Sequence, residues 1–308
     1  MSEVSLNHGG YQCPPLDLLN GKVPIFCSKQ FQNNTMELPC AIGMTENKES
    51  FMFDLTKAHQ LLVAGATGQG KTACLNAIIC SLLLKKKPSE LQLILIDPKR
   101  CEFDIYAPLY NLFLARLPNE PEGIVTDNNR CLSVMDYICS LMDNRFDRLK
   151  EADVRSIIEY NQKYPEQPMP YVVTVIDEYG DLIITLGRDF ESKLTHLAAN
   201  SWRVGIHFVI CTQRPTTNII TCWIKANFPA RIAFRVSERF DSKTIIDYGG
   251  AECLNGNGDM LVITDSSNPV RIQGAYIEDK EIERIVSYIA QQESYDSSKS
   301  SDITICTE

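Results

Sequence analysis

Positive charge is in short supply in this sequence. Lys and Arg number 30 against 39 Asp and Glu, a formal net charge of -9, so the surface as a whole is no basic glove for a polyanion. A local basic patch, or a pore lined by several subunits, stays open. The 12 cysteines include no Cys-x-x-Cys pair, which leaves a zinc site without support. Cys74, Cys80 and Cys211 sit inside apolar runs, and the chain is too long for a disulfide scaffold. The expectation is buried, reduced thiols in a reducing cytosol. Residues 1–30 lack a basic start followed by an apolar stretch, so no signal peptide is expected. The longest apolar run, residues 73–84, is interrupted by Asn76 and Ser81 and closed by Lys85-Lys86-Lys87. It falls short of the roughly 20 residues that a membrane span requires. A cytoplasmic protein without membrane insertion is the expectation.

Hydrophobic residues make up 44% and charged residues 22%, ordinary for a globular chain, which excludes wholly disordered, collagen-like and coiled-coil classes. At roughly 150 residues per domain, 308 residues make one large domain or two small ones. Residues 1–36 carry Gly9-Gly10, Pro14-Pro15, Gly21 and Pro24 and read as an N-terminal arm. Residues 38–54 suit a small hairpin. From Gln60 onward short β-rich runs alternate with longer helical patterns. Strands are expected at Leu61–Ala64, Leu91–Ile96, Tyr171–Ile176, 206–211 and 231–236, and helices at 72–84, 124–149, 154–163, 190–202, 219–227 and 279–291. Three of the strand runs are nearly all apolar, as strands buried on both faces of a parallel sheet must be. The alternation predicts a doubly wound α/β core with a mostly parallel sheet flanked by helices. Residues 260–264 and 269–275 look like a late strand pair. Residues 293–308, rich in Ser, Asp and Thr, read as a flexible tail. The domain expectation is thus an arm over 1–36, one α/β domain over 37–292 and a tail over 293–308.

The strongest motif is Gly65-Ala66-Thr67-Gly68-Gln69-Gly70-Lys71-Thr72, a full G-x-x-x-x-G-K-[ST] match between a strand and a helix. Glycines let backbone N–H groups wrap a β-phosphate, and the helix N-terminus adds partial positive charge there. Lys71 would reach the β and γ oxygens of ATP, and Thr72 would offer its hydroxyl to Mg²⁺. The apolar strand at Tyr171–Ile176 ends in Asp177-Glu178, the Walker B pattern. Asp177 would hold Mg²⁺ through its water shell, and Glu178 would polarise the attacking water. A third apolar strand ends in Thr212-Gln213-Arg214-Pro215. Ligands of α/β sheets sit at such strand ends, so Gln213 either contacts the γ-phosphate or simply starts a polar loop; spacing alone does not separate the two.

These motifs, in this order, resemble the motor domain of the FtsK/SpoIIIE family of DNA translocases. Leu61 to Gly65 leads into the P-loop as in that family, and Ile96-Asp97-Pro98-Lys99 matches its second-strand motif. Pro170-Tyr171, Asp177-Glu178-Tyr179-Gly180-Asp181, Gly205-Ile206-His207 and Thr212-Gln213-Arg214-Pro215 follow. Ile224-Lys225-Ala226-Asn227, Pro229 to Phe234, Asp241-Ser242, Gly249 to Glu252 and Gly258 to Leu261 close the set. The resemblance runs from about residue 38 to about residue 291 and implies a RecA-like P-loop NTPase. It also implies a hexameric ring around double-stranded DNA, with Mg-ATP hydrolysed between subunits. Lys71, Thr72, Asp177 and Glu178 would then carry the roles above, and Gln213 would sense the γ-phosphate. A neighbouring subunit would supply an arginine finger. The family's finger position falls on Trp202, three residues before Gly205, and Arg203 follows it. Either a small register shift lets Arg203 serve, or the finger comes from elsewhere and Arg203 is a solvated helix-end cation.

Arg214, Lys225 and Arg239 match basic positions of the family's pore-proximal region, with Arg235 a further local cation. Contacts there would be to the DNA backbone and largely independent of sequence. Lys85-Lys86-Lys87 reads instead as a helix C-terminal cluster. Many family members carry N-terminal membrane helices and a C-terminal winged-helix domain. Neither is visible here, so a stand-alone motor is expected, with accessory DNA-processing proteins as possible partners. Two other readings stand beside it: a coupling ATPase for conjugation or packaging, and a protein-secretion ring of the same fold.

Overall fold

The computed structural model describes residues 11–292, apart from residues 20, 22, 111, 116, 118–122 and 265–267. The expected tail at 293–308, and residues 1–10 of the expected arm, lie outside the described residues. Ten strands form one sheet: β1 (Pro39–Thr45), β2 (Ser50–Asp54), β3 (Leu61–Ala64), β4 (Leu91–Ile96), β5 (Ile124–Val125), β6 (Tyr171–Ile176), β7 (Ile206–Thr212), β8 (Ala230–Phe234), β9 (Asp259–Ile263) and β10 (Val270–Gly274). Their spatial order is β2-β1-β10-β9-β8-β3-β7-β6-β4-β5. The stretch from β8 to β5 is parallel throughout. The four strands from β2 to β9 extend it in antiparallel fashion.

Every residue of β3, β4, β6 and β7 is buried. Consecutive buried residues point to opposite faces of a strand, so helices and loops must cover both faces here. Among the described residues ten α-helices accompany the sheet: α1 (Pro24–Cys27), α2 (Lys29–Gln32), α3 (Leu55–Ala58), α4 (Lys71–Leu83), α5 (Asn128–Glu151), α6 (Ile157–Lys163), α7 (Tyr179–Asn200), α8 (Cys222–Asn227), α9 (Arg239–Ile246) and α10 (Asp279–Ala290). Among the described residues no helix is long and apolar enough to cross a membrane.

Helix α4 explains the apolar run after the P-loop. It is buried from Cys74 to Leu83, so its two polar interruptions need partners inside the protein. Ser81 Oγ donates to Ala77 O at 2.6 Å and accepts from Ala41 N at 3.0 Å, tying α4 to β1. Asn76 Oδ1 accepts from Tyr106 Oη at 2.9 Å. Of the lysines that follow, Lys85 serves the N-terminal segment: its Nζ donates to Gln32 O at 2.8 Å and lies 4.9 Å over the Phe31 ring.

Residues 11–36 contribute to the same core. Leu19, Phe26 and Phe31 are fully buried, and Phe26 meets Phe31 edge-on at 5.0 Å between ring centres. Four helix expectations shift, those from residues 154 and 219 by three residues, to Ile157 and Cys222. The helix expected at 190–202 is the second half of α7, which begins at Tyr179 and breaks regular geometry at Gly187 (φ 66, ψ -146). The helix expected from residue 124 starts at Asn128, because Ile124 and Val125 pair with β4 and Asp127 caps the first turn. The described cysteines are free thiols, but Cys27, Cys101, Cys222 and Cys253 are exposed, which corrects a uniformly buried set.

Truncating Phe26 to Ala is expected to destabilise the protein by about 3–5 kcal/mol, the usual range for a buried aromatic. Denaturant unfolding reads this directly. A change under about 1 kcal/mol would mean that the N-terminal segment does not unfold with the core.

Candidate nucleotide site

Parallel pairing levels the ends of four strands. Ala64 of β3 lies beside Thr212 of β7, Ile210 of β7 beside Ile176 of β6, and Ile176 beside Ile96 of β4. The P-loop, Gln213, Asp177-Glu178 and Asp97 therefore all emerge at the same edge. The P-loop is fastened there by backbone bonds: Gly65 N to Thr212 O at 3.3 Å, Ala66 N to Arg235 O at 2.9 Å and Gly258 N to Gln69 O at 3.0 Å. Gly70 has φ 112, and a Cβ on it would sit 2.9 Å from Gly258 Cα. Both the dihedral and the contact demand glycine. Lys71 Nζ donates to Ala66 O at 2.9 Å, which folds the ammonium over the loop. Thr67 Oγ1 donates to Gln213 Oε1, so Gln213 touches the P-loop itself. Gly68 stays exposed, and Lys71 and Thr72 are half-buried at the start of α4.

Two acids end the adjacent strands β4 and β6, and their surroundings differ. The fully buried Asp97 accepts from the backbone N–H groups of Lys99, Cys101, Glu102 and Phe103, at 2.8–3.3 Å. Its carboxylate thereby organises the loop after β4. Asp177 is 7% exposed, and among the described residues no cation is ion-paired with it. Burial raises its pKa to about 6, against the smaller opposing effect of hydrogen bonds from the Glu178 backbone and Cys211. A desolvated carboxylate without a cation, at the same sheet edge as the P-loop with its Thr72 hydroxyl, offers hard-oxygen donors that fit Mg²⁺. Among the described residues no cluster of three or more His, Cys, Asp or Glu could hold a metal, so substrate phosphates would have to complete the coordination.

Glu178 adopts left-handed backbone angles (φ 50, ψ 40) at the start of α7, a conformation costing on the order of 1 kcal/mol for a residue with a Cβ. Its Oε1 accepts from Lys99 Nζ at 2.6 Å. Lys99 also reaches Asp181 Oδ2 at 3.2 Å, and Asp181 Oδ1 accepts from Arg214 Nε at 3.1 Å. Desolvation works against the Lys99 ammonium, but the bonds to Glu178 and Asp181 outweigh it and raise its pKa. Lys99, Asp97 and Asp181 were legible only as parts of a quoted motif. Their meeting with Glu178 depends on β4 lying beside β6, which no local pattern encodes.

Trp202 and Arg203 lie elsewhere. They form a 3₁₀ turn, Ser201–Val204, before β7, and Trp202 stacks on His59 at 4.0 Å, just before β3. The Arg203 guanidinium sits 5.3 Å over the Trp202 ring. Seven-residue β7, at about 3.3 Å per residue, separates this edge from Gln213, so Arg203 does not belong to its own chain's P-loop site. His207 is buried with Nδ1 2.7 Å from His59 O, and burial lowers its pKa to about 4; it is a neutral structural group. Of the candidate DNA contacts, Arg214 is tied to Asp181, and Lys225 shares Asp247 with Arg231. Arg239 and Arg235 are exposed, and Arg239 packs along Gly249, where a Cβ would lie 2.6 Å from its Nε.

Fold and site together define a P-loop ATPase. Solved structures agree: the pCW3 conjugation coupling protein TcpA, in monomer form with ATPγS, is 24% identical with a TM-score of 0.72, covering 85% of this chain and 73% of that one. The cytoplasmic domain of the Thermomonospora curvata type VII secretion ATPase EccC is 20% identical with a TM-score of 0.70, covering 82% and 31%. Both likenesses concern the fold alone. Residues 23–217 match the family model described as FtsK/SpoIIIE family, and the chain belongs to that family. The DNA translocase FtsK of Chlorobaculum tepidum is 45% identical over 266 residues, 86% of this chain and 33% of that protein. The DNA translocase SftA of Bacillus subtilis is 40% identical over 270 residues, 86% and 28% respectively. The chain thus spans about a third of the length of the curated relatives it matches.

Because the folded pKa of Asp177 exceeds its unfolded value, the fold prefers the protonated acid. That contribution is complete below about pH 4 and is lost as pH rises through about 6. Asp177→Asn is therefore expected to stabilise the protein by about 1–3 kcal/mol at pH 7.5 and to flatten its stability between pH 4 and 7. Denaturant titrations across that range check it; an unchanged or lower stability at pH 7.5 contradicts the unfavourable burial of the Asp177 charge.

Proposed function

We propose that this chain is the motor portion of an ATP-driven double-stranded DNA translocase. The observation that carries this reading is the convergence of the P-loop, Asp177, Glu178 and Gln213 on one sheet edge, in a chain whose relatives bear the name DNA translocase. The backbone N–H groups of Gly65 to Gly70 cradle the ATP phosphates, and Lys71 turns from Ala66 O to their oxygens. Thr72 and Asp177 would hold Mg²⁺, which would neutralise charge on the phosphates when bound. Glu178 accepts a hydrogen bond from the attacking water, and Gln213 reports on the γ-phosphate through its contact with Thr67. Arg203, on the far edge, serves the site of a neighbouring subunit in a hexameric ring. Arg214, Lys225 and Arg239 face the DNA backbone. The pairing of Arg214 with Asp181 and of Lys225 with Asp247 makes DNA binding at those two residues an exchange of carboxylate for phosphate rather than a simple addition of charge.

ATP hydrolysis measured with and without linear double-stranded DNA, across a salt series, tests the reading. Stimulation that fades as salt rises is expected, because phosphate contacts release counterions. A rate indifferent to DNA at every salt concentration overturns it and favours a coupling or protein-secretion ATPase. Glu178→Gln is expected to bind ATP with near-unchanged affinity and to lose about 10²–10⁴-fold in turnover. Turnover close to wild type removes Glu178 from water activation. In mixtures with intact subunits, Arg203→Ala is expected to depress hydrolysis at the neighbour's site, and a purely proportional loss of activity contradicts a role in trans.

A further inference from the structure

The charged side chains beyond β6 alternate in sign along a short line. Glu178 Oε1 is 2.6 Å from Lys99 Nζ, Lys99 Nζ is 3.2 Å from Asp181 Oδ2, and Asp181 Oδ1 is 3.1 Å from Arg214 Nε. At one end stands the carboxylate assigned to the attacking water, at the other a cation assigned to the DNA backbone. We propose that Lys99 is a positioning residue that restrains Glu178 until a backbone phosphate takes Arg214 from Asp181. This rests on the function proposed above and deepens it, because it states how the two ends of the motor communicate.

The unequal contacts of Lys99 carry the inference. One ammonium serves two carboxylates, and its place between them depends on how far each is already neutralised. Asp181 has Arg214, whereas among the described residues Glu178 has no second cation. Lys99 accordingly lies closer to Glu178, at 2.6 Å against 3.2 Å. A phosphate facing Arg214 competes with Asp181 for the guanidinium through charge-assisted hydrogen bonds. Once Arg214 leaves, Asp181 becomes the less neutralised acid and draws Lys99 toward itself. Glu178 Oε1 is then open to the attacking water.

The surroundings suit a side-chain movement of this kind. Glu178 and Asp181 are three residues apart at the start of α7, a spacing that puts both within reach of one ammonium. The loop bearing Lys99 is pinned by four backbone bonds to Asp97, so its Cα stays fixed while the side chain swings. The Lys99 side chain is 41% exposed, which leaves room for that swing on the timescale of surface rotamers.

The test is steady-state ATP hydrolysis by the full chain, with and without linear double-stranded DNA. Lys99→Met keeps the apolar stem and removes the restraint. Its DNA-free rate is expected to rise several-fold, its stimulation by DNA to fall toward one, and its KM for ATP to stay within about twofold. Asp181→Asn leaves Lys99 with Glu178 alone, so the DNA-free rate falls and DNA no longer restores it. Lys99→Arg keeps a cation at the site and a low DNA-free rate. A merely structural Lys99 would lower both rates in Lys99→Met, and that result overturns the proposal, as does an unchanged DNA-free rate. If DNA fails to stimulate the wild-type protein, the proposed function fails together with the Arg214 end of the relay. The opposite signs of the Lys99→Met and Asp181→Asn rates without DNA then still decide whether Lys99 restrains Glu178.

Discussion

Parallel pairing of β3, β7, β6 and β4 is the constraint on which the site depends. Evenly spaced ladder bonds hold the strands in a register that leaves their C-terminal ends level. Each strand delivers one functional group to the same edge, with no long loop to place it. The same pairing sets the electrostatics. A side chain at the last position of a strand buried on both faces has lost most of its water, so any charge there is expensive unless it finds a partner.

The two acids at that edge resolve this in opposite ways. Asp97 is wholly buried yet satisfied, because four backbone N–H groups converge on it, and its role is to shape a loop. Asp177 lacks such a set, and its pKa is pushed up to about 6, chiefly by burial. An acid left under-satisfied beside a phosphate loop marks a place for a cation that comes and goes, where a satisfied acid marks architecture. Sequence position does not distinguish the two, since both follow an apolar strand by one residue. Their hydrogen bonds do.

What the sequence made legible follows from how local each signal is. β3, β4, β6 and β7 were readable because burial on both faces leaves a continuous apolar run. The P-loop was readable because its eight residues contain the whole of its chemistry, glycine dihedrals included. The first half of α7 was not: residues 182–186 are rich in Ile and Leu and are followed by Gly187, which breaks the helical geometry, so no uninterrupted helical pattern marks them in the sequence. Lys99 was seen only as a motif member. Its contact with Glu178 requires β4 and β6 to be neighbours, although about 75 residues of chain separate them. The placement of Arg203 was equally non-local, resting on Trp202 stacking against His59 at the opposite edge.

That opposite edge bears on assembly. With the phosphate loop at the C-terminal ends of the strands and Arg203 at the N-terminal ends, no single subunit can bring both to one nucleotide. Under the proposed function the two edges belong to different surfaces of the subunit, so the contact that joins them is head-to-tail. Head-to-tail contacts close into rings when the rotation between subunits permits, and otherwise grow as open filaments. Under the proposed function a ring gives every site the same completion from its neighbour, while three charged contacts inside each chain join Arg214 to Glu178. Under the proposed function the charge line and the subunit interface then act on the same bound nucleotide.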